Sequence, residues 1–296
     1  MSELSVIIAA YQAEATLAQT LRSLRDCENG EQAQVIVVDD GSSDNTAAVA
    51  EQAGVVVLRR PHQGRAAALN AGLAAAQGKW IFFIDADCLA PATWYRDTLA
   101  HLGDYDGLGG NLHPSAFTAV ELAKVLRYVE EFERDIILKN AYDGVCLNGN
   151  NMMIRREALA TVGGFDEGYV HGADADLTRR LLAAGYHLLR TTKTHTVHLK
   201  IDTLRSFLRT MWRRGSTVRF GMDSGAENAL TLTRALLLSP LKWLAVDLMR
   251  VPRLRVFGKQ VDPLRAWLAP WINLLGGWAT GLGRIHFYRR FRRERS

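Results

Sequence analysis

Cysteine is scarce. The 296-residue chain has three, Cys27, Cys88 and Cys146, widely separated and without a Cys-x-x-Cys pair. That excludes a disulfide framework and suits a reducing compartment, with the thiols as packing residues. The opening residues have no basic start and no long apolar run, so no secretory signal is expected and the chain is expected to begin in the cytoplasm. Internal repeats and low-complexity segments are absent, and a charged fraction of 23% excludes wholesale disorder. Long apolar runs are also few. The uncharged stretch 266–283 would reach about 27 Å as a helix at roughly 1.5 Å per residue. That is barely a bilayer span, and Pro270, Asn273 and four glycines interrupt it.

What is present begins with a charge asymmetry hidden inside the net charge of +5. Residues 1–198 carry 17 basic and 25 acidic side chains, 17 − 25 = −8, and residues 199–296 carry 19 and 6, 19 − 6 = +13. An acidic first part suits cation binding. A basic second part suits a phosphate-bearing surface. No nucleic-acid-binding module accompanies it, so anionic lipid is the expected partner rather than nucleic acid.

The first half alternates short apolar runs with helical patterns. Residues 5–9, 35–38, 55–58 and 80–84 are continuous apolar strands, and helical spacing lies between them around Leu17, Leu21 and Leu24, over 46–52 and over 66–76. Strands without polar alternation, separated by helices, indicate a parallel sheet covered on both faces. The pattern predicts an α/β, doubly wound nucleotide-binding fold, in which ligands sit at the carboxyl ends of the strands. Further on, the spacing predicts a long amphipathic helix over 121–138 and a helix over 176–185 ended by glycine. Apolar, arginine-rich helical spacing covers 204–220, a strongly apolar run covers 230–249, and two prolines mark 251–263 as a connector.

Carboxylates cluster where that fold binds ligands. Asp39 and Asp40 end the second strand in VIVVDDGSSDNT; they can meet a base or ribose, or the turn can simply cap the next helix through Asp44 and Thr46. Asp85 and Asp87 end the fourth strand in FFIDADC, where hard oxygen donors suit Mg2+ or Mn2+ bound to a diphosphate. Asp174 and Asp176 open a helix; Asp176 fits a plain cap, and Asp174 fits either a cap or a general base. His195 and His198 near an acidic site raise a metal hypothesis. Arg65, in a turn before a helix, is either a phosphate contact or a solvated arginine.

Taken in order, SVIIAAYQAEATL, VIVVDDGSSDNT, GRAAALNAGL, WIFFIDADC, LNGNNMMIRREAL, GGFDE, GADADLTRRLLAAGY and TVHLKIDTLRSFL resemble glycosyltransferase family 2, over roughly residues 4–220. The resemblance implies a GT-A catalytic domain in 1–220, with a mostly parallel sheet, and a C-terminal helical extension in 221–296. It implies that Ala9, Tyr11 and Glu14 line the nucleotide pocket, that Asp39 pairs with the base of a UDP-sugar, and that Arg65 lies near the diphosphate. Asp85 and Asp87 would form the Asp-x-Asp motif, with Asp87 and His198 as metal ligands and His195 as a bystander. Asn150 and Asn151 would border the donor sugar or acceptor, and Asp174 would be the catalytic base of an inverting transfer. One position departs from the family pattern: Ala173 stands where a glutamate usually precedes the base. The Gln-x-x-Arg-Trp motif of processive synthases is also missing, so transfer of a single sugar is expected.

A nucleotidyltransferase of related fold is the enzymatic alternative, and it would need a glycine-rich basic loop after the first strand that AAYQAEATL lacks. A non-catalytic sugar-nucleotide or membrane-binding scaffold is the other, and Asp85, Asp87, Asp174 and His198 argue against it. The apolar, basic and tryptophan-rich extension is expected to lie in the plane of the cytoplasmic membrane face rather than span it, which makes a lipid-linked acceptor plausible.

Overall fold

A computed structural model of the chain describes residues 3–28, 32–102, 105–127, 134–138, 146–169, 172–216, 238–251 and 261–293. Contacts divide the chain into two units. The first comprises 1–115 and 130–200; the second comprises 116–129 and 201–296. The second unit therefore begins before residue 220 and also takes in a helix from the first half of the chain.

The first unit is built on β1 (Leu4–Ala10), β2 (Gln34–Asp39), β3 (Val56–Arg59) and β4 (Trp80–Phe83), joined by α1 (Leu17–Arg25), α2 (Thr46–Gln52) and α3 (Arg65–Ala75). Pairing is parallel throughout this half, in the spatial order β3-β2-β1-β4. Among the described residues the sheet has nine strands. β5 (Cys88–Leu89), β6 (Gly107–Pro114), β7 (Ile136–Leu138), β8 (Met152–Arg155) and β9 (Leu188–His198) complete it, with β8 antiparallel between β4 and β6, and β9 parallel to β6. The apolar strand runs read from the sequence occupy the sheet centre, where Ile7, Ile8, Ile36, Val37, Phe82 and Phe83 are fully buried. Side chains alternate between faces. Ile8, Val37 and Phe82 pack beneath α1 and α4 (Trp94–Leu102), and Ile7, Ile36 and Phe83 beneath α3, α6 (Arg156–Val162) and α7 (Ala173–Ala183).

The chain runs outward from β1 to β3, then crosses to the other side of β1 to form β4. That reversal opens a crevice at the carboxyl ends of β1 and β4, the place where open α/β sheets receive ligands. α3 packs close on the sheet beside it: a Cβ at Gly72 would stand 2.4 Å from the Ile7 side chain, so only glycine lets α3 lie this near.

The expected helix over 121–138 is two elements. α5 (Ala119–Arg127) belongs to the second unit, and Ile136–Leu138 is β7, paired antiparallel with β9; residues 128–133 lie outside the described residues. The apolar Ile-Ile-Leu run finds a strand partner, and that pairing overrides the helical spacing read across it. The helix expected at 176–185 starts earlier, at Ala173, which puts Asp174 and Asp176 in its first turn; Gly185, at φ +86°, follows its end. Asp176 is no end cap. It is buried and bonded to Arg179 and Arg180, at 2.9 and 2.7 Å.

The second unit packs α5 with α8 (Leu204–Ser216), α9 (Ser239–Arg250) and α10 (Pro263–Arg293). Buried Val120, Phe207 and Met211 form its core. Buried Asn273 donates from Nδ2 to Asp247 Oδ2 and to the Ala123 carbonyl, both at 2.8 Å, so three helices are tied at one polar point. Residues 217–220, 230–237 and 252–260 of the expected elements lie outside the described residues, and no helix among the described residues is long and apolar enough to cross a membrane.

On β6 and β9 of the first unit, the His113 and His195 rings stack at 4.1 Å and 13°. Burial, with His195 adding to it, lowers His113 from 6.5 to about 3. In the unfolded chain this group takes up its proton near 6.5, whereas the folded chain resists until about 3. Stability is therefore lost as pH falls through that window. The expected outcome is a urea midpoint that drops between about pH 7 and about pH 5, with a smaller drop in His113→Phe. An identical drop in the variant would remove the ring from that account.

Candidate active site

The crevice is assembled from strand ends. Asp40, just past β2, is buried; its Oδ1 accepts from the Gln63 N–H (3.1 Å) and its Oδ2 from the Gly64 N–H (2.8 Å), with His62 Nδ1 2.9 Å from the same Oδ2. This holds the 62–64 turn against the sheet. Gly64 takes φ +98°, a conformation that suits glycine, and the chain then enters α3 at Arg65. Arg65 thus starts from a fixed point at the crevice rim.

Its guanidinium reaches two other segments. Nε and Nη2 donate to Asp85 Oδ1 at 3.1 and 2.7 Å, and Nη2 also donates to the Gly149 carbonyl at 2.6 Å. Burial works against the charge on Arg65, but the neighbouring Asp85 outweighs it and raises the group above its ordinary value. The Gly149 N–H in turn points to Asp174 Oδ2 at 3.4 Å, and Asp174 Oδ1 accepts from the Ala175 N–H at 2.9 Å in the first turn of α7. A continuous set of contacts therefore joins Asp85, Arg65, Gly149 and Asp174. A Cβ at Gly149 would come to 3.1 Å from the guanidinium nitrogens, so a side chain there would press on Arg65.

Asp87 and His198 meet by strand pairing. The two-residue β5 runs antiparallel to the end of β9 with Cys88 opposite His198, and the Leu199 N–H donates to the Asp87 carbonyl at 2.8 Å. His198 Nε2 then lies 3.3 Å from Asp87 Oδ2. Burial opposes the charge on Asp87, yet the hydrogen bond and charge of His198, with Lys200, hold the carboxyl below its ordinary value. Cys88 brings its Sγ to 3.8 Å from Asp87 Oδ1. One ligand atom each from Asp87, Cys88 and His198 lies within 4.8 Å of the others. A carboxylate and an imidazole so placed fit a divalent cation. Burial and the flanking Asp85 and Asp87 push the Cys88 thiol up, so it stays neutral at ordinary pH.

The other expected positions divide. Ala9 sits in β1 opposite Val38, and half-exposed Tyr11 follows that strand, its ring stacked 4.2 Å from His62. Buried Asp39 ends β2 and accepts from the Ser42 N–H at 3.1 Å. Glu14 is engaged elsewhere: its Oε2 accepts from the backbone and side chain of Asn45 at 2.9 and 3.1 Å, at the start of α2. The Asn150 carbonyl accepts from Thr196 Oγ1 at 3.4 Å, and among the described residues its buried Oδ1 has no hydrogen-bond partner. Asn151 is turned inward, accepting from Trp94 Nε1 at 3.0 Å and donating to the Asn111 carbonyl at 3.1 Å. His195 lies in the His113 stack and is absent from the cation-binding group. Sequence reading left Asp40 as one of two carboxylates for a base or ribose, His62 without a role and Cys88 as a packing thiol. The doublet of aspartates and the His-Gln-Gly-Arg turn were the visible signals for the first two, and adjacency to Asp87 for the third.

Comparisons with known proteins agree with this picture. Residues 5–163 match the family model described as Glycosyl transferase family 2. Glycosyltransferase AglE of Haloferax volcanii is 27% identical over 197 residues, 62% of this chain and 62% of that protein. The undecaprenyl-phosphate 4-deoxy-4-formamido-L-arabinose transferase of Proteus mirabilis is 34% identical over 100 residues, 31% of each. The chain thus spans less than two thirds of the length of these curated relatives. Among solved structures, the mannosyltransferase PcManGT from Pyrobaculum calidifontis, in complex with GDP-Man and Mn2+, has a TM-score of 0.61 at 18% identity, over 95% of this chain and 87% of that one.

Removing the Arg65 guanidinium leaves Asp85 and the Gly149 carbonyl without their shared donor. Arg65→Ala should weaken nucleoside diphosphate binding by about tenfold or more, the scale of a lost charge-assisted hydrogen bond. Calorimetric titration with UDP and GDP reads this directly. Undiminished affinity in a folded variant would take Arg65 out of the binding site.

Proposed function

The chain belongs to glycosyl transferase family 2 and has its GT-A fold, and from that premise we propose an inverting transfer of a single sugar from a nucleoside-diphosphate donor, UDP-linked, to an acceptor hydroxyl. The observation that carries this reading is the contact path from Asp174 through Gly149 and Arg65 to Asp85, with the Asp87–His198 pair two residues further along. It supports one site with a cationic half for a leaving diphosphate and a carboxylate beyond it.

In this reading Tyr11 and Asp39 hold the nucleoside at the ends of β1 and β2, with the Ala9 backbone beneath. Arg65 faces the diphosphate and opposes the charge that develops as the sugar departs. Asp174 accepts the acceptor hydroxyl proton. The freed oxygen pair bonds to the anomeric carbon from the face opposite the diphosphate, and the bond to the diphosphate oxygen breaks with its electron pair leaving on that oxygen. Configuration inverts in the single displacement, and no covalent enzyme intermediate forms. Asp87 and His198 would hold Mg2+ or Mn2+, which neutralises diphosphate charge when bound. Asn150 borders the sugar and acceptor side. Asn151 and Glu14 serve by shaping the turn and the start of α2, since their polar atoms are already engaged.

We assign transfer to residues 1–220 and surface attachment to 221–296. The acceptor is a lipid-linked sugar or glycolipid precursor at the cytoplasmic face of a membrane. Two things support this: the basic, apolar extension, and a relative whose name includes the lipid phosphate undecaprenyl-phosphate.

Asp174→Asn tests the base. Transfer, measured as nucleoside diphosphate released with membrane extract as acceptor across a panel of UDP- and GDP-sugars, should fall by about 10²–10⁴. Donor affinity should stay nearly unchanged, and wild-type turnover in this variant would reject the assignment. Metal dependence has its own test. Chelation should stop turnover and Mg2+ or Mn2+ restore it, while His198→Ala should weaken Mn2+ binding, followed by electron paramagnetic resonance, about 10- to 100-fold. Turnover that survives chelation would refute the cation's role.

A further inference from the structure

In α10 six large apolar side chains share an outward face, and the inward side is built mostly of small residues, with Leu274 buried and Ile272 partly buried beside them. At about 100° per residue, Leu264, Trp267, Trp271, Leu275, Trp278 and Leu282 fall within an arc of about 80°. All six are exposed, Leu264 at 70% and Trp271 at 52%. The opposite side carries Ala266, Ala269, Asn273 and Gly276. Ala266, Ala269 and Asn273 are buried, and a Cβ at Gly276 would come 2.7 Å from the Phe207 ring. Close packing on α8 thus demands the small side. Among the described residues the large side packs against no part of this unit's buried core.

Such a row, about 27 Å long from 264 to 282, exceeds the scattered exposed apolar residues of an ordinary surface. No charged residue lies between 266 and 283, and beyond it residues 284–296 hold six arginines and one glutamate, 6 − 1 = +5. Tryptophan pairs an apolar ring with an N–H that suits the border of lipid and water. Two copies of this chain meeting through α10 would bring like basic segments together, whereas an anionic bilayer offers them opposite charge.

We propose that this face of α10 is the lipid-docking surface: it lies in the plane of an anionic membrane, buries its leucine and tryptophan row at the headgroup level, and is held there by the arginines that follow. The inference rests on the membrane-surface reading given under Proposed function and names the side chains that carry it.

The test is flotation of the full-length protein with vesicles of phosphatidylglycerol mixed with phosphatidylcholine, and with phosphatidylcholine alone. The wild-type chain should float with the mixed vesicles and bind less as salt rises. Its tryptophan fluorescence should be quenched more by lipid brominated near the headgroup than by lipid brominated near the chain end. Trp267→Ser/Trp271→Ser/Trp278→Ser should bind at least about tenfold more weakly, because attachment scales with buried apolar area. Leu275→Glu should weaken binding while keeping every tryptophan, and circular dichroism establishes that both variants fold. If the wild type floats and both folded variants float equally well, the α10 face is overturned while membrane attachment stands on another surface. If the wild type fails to float at low salt, both readings fall. If it sediments as a dimer that the triple variant dissociates, the face pairs copies of the chain, and the lipid proposal is overturned.

Discussion

The Arg65 guanidinium ties together segments that are 20 and 84 residues away along the chain. Its reach is short, so its usefulness depends on how precisely its own backbone is held. Asp40 supplies that constraint. A buried carboxylate must find donors, and here it takes the N–H groups of Gln63 and Gly64, which would otherwise stand unsatisfied before α3. The charge on Arg65 is stabilised in turn by Asp85. The candidate site is thus arranged as a relay. β2 fixes a turn, the turn fixes a cation, and the cation fixes the 148–151 turn beside Asp174. Each link joins a rigid strand or helix end to a loop, so loops gain the positional accuracy of the sheet.

How much of this was legible beforehand depends on the kind of residue. The four parallel strands were readable because burial on both faces leaves unbroken runs of Val, Ile and Phe, a pattern few other structures produce. Carboxylates at strand ends were readable for a related reason, since an ionised group directly after a buried run marks the point where the strand leaves the core. Side-chain direction was not readable. Asn150 and Asn151 are adjacent and chemically identical, yet Asn151 is sewn into the interior between Trp94 and Asn111. Only the position of Trp94, 57 residues earlier, decides this. Glu14 likewise serves Asn45 at the start of the next helix, a partner no local pattern reveals. The helix predicted over 121–138 holds over 121–127 and gives way at 136–138 for the same reason, because β7 pairs with β9, fifty or more residues away.

Positions whose part the sequence does not settle share a feature. Asp40, His62 and Cys88 sit next to residues with an evident part to play, and a sequence offers no means of ranking two adjacent aspartates. The structure separates them by partner. Asp39 accepts one backbone bond from the Ser42 turn, whereas Asp40 lies against the turn before α3. Tyr11 and His62 show the complementary case: two rings from different loops stack at the mouth of the crevice and form an aromatic wall that neither motif announces.

The extension shows why composition alone misdescribes a helix. Its uncharged stretch has enough apolar residues to suggest a membrane span, and glycines enough to argue against one. Both impressions come from averaging over the circumference. Sorted by face, the glycines and alanines are packing residues, since α10 can approach α8 closely only where side chains are small. Among the described residues the tryptophans and the leucines of the outward row are free to be large because they stay exposed, whereas Leu274 packs inward. A helix whose two faces are both apolar, one by smallness and one by size, gives almost no periodic hydropathy signal even though its sides are sharply different. Such a helix cannot be assigned from periodicity, and the size of each side chain at each face becomes the informative variable. In a chain whose residues 1–198 are acidic and whose residues 199–296 are basic, that distinction separates a helix apolar throughout from one whose small side closes a core and whose large side stays exposed.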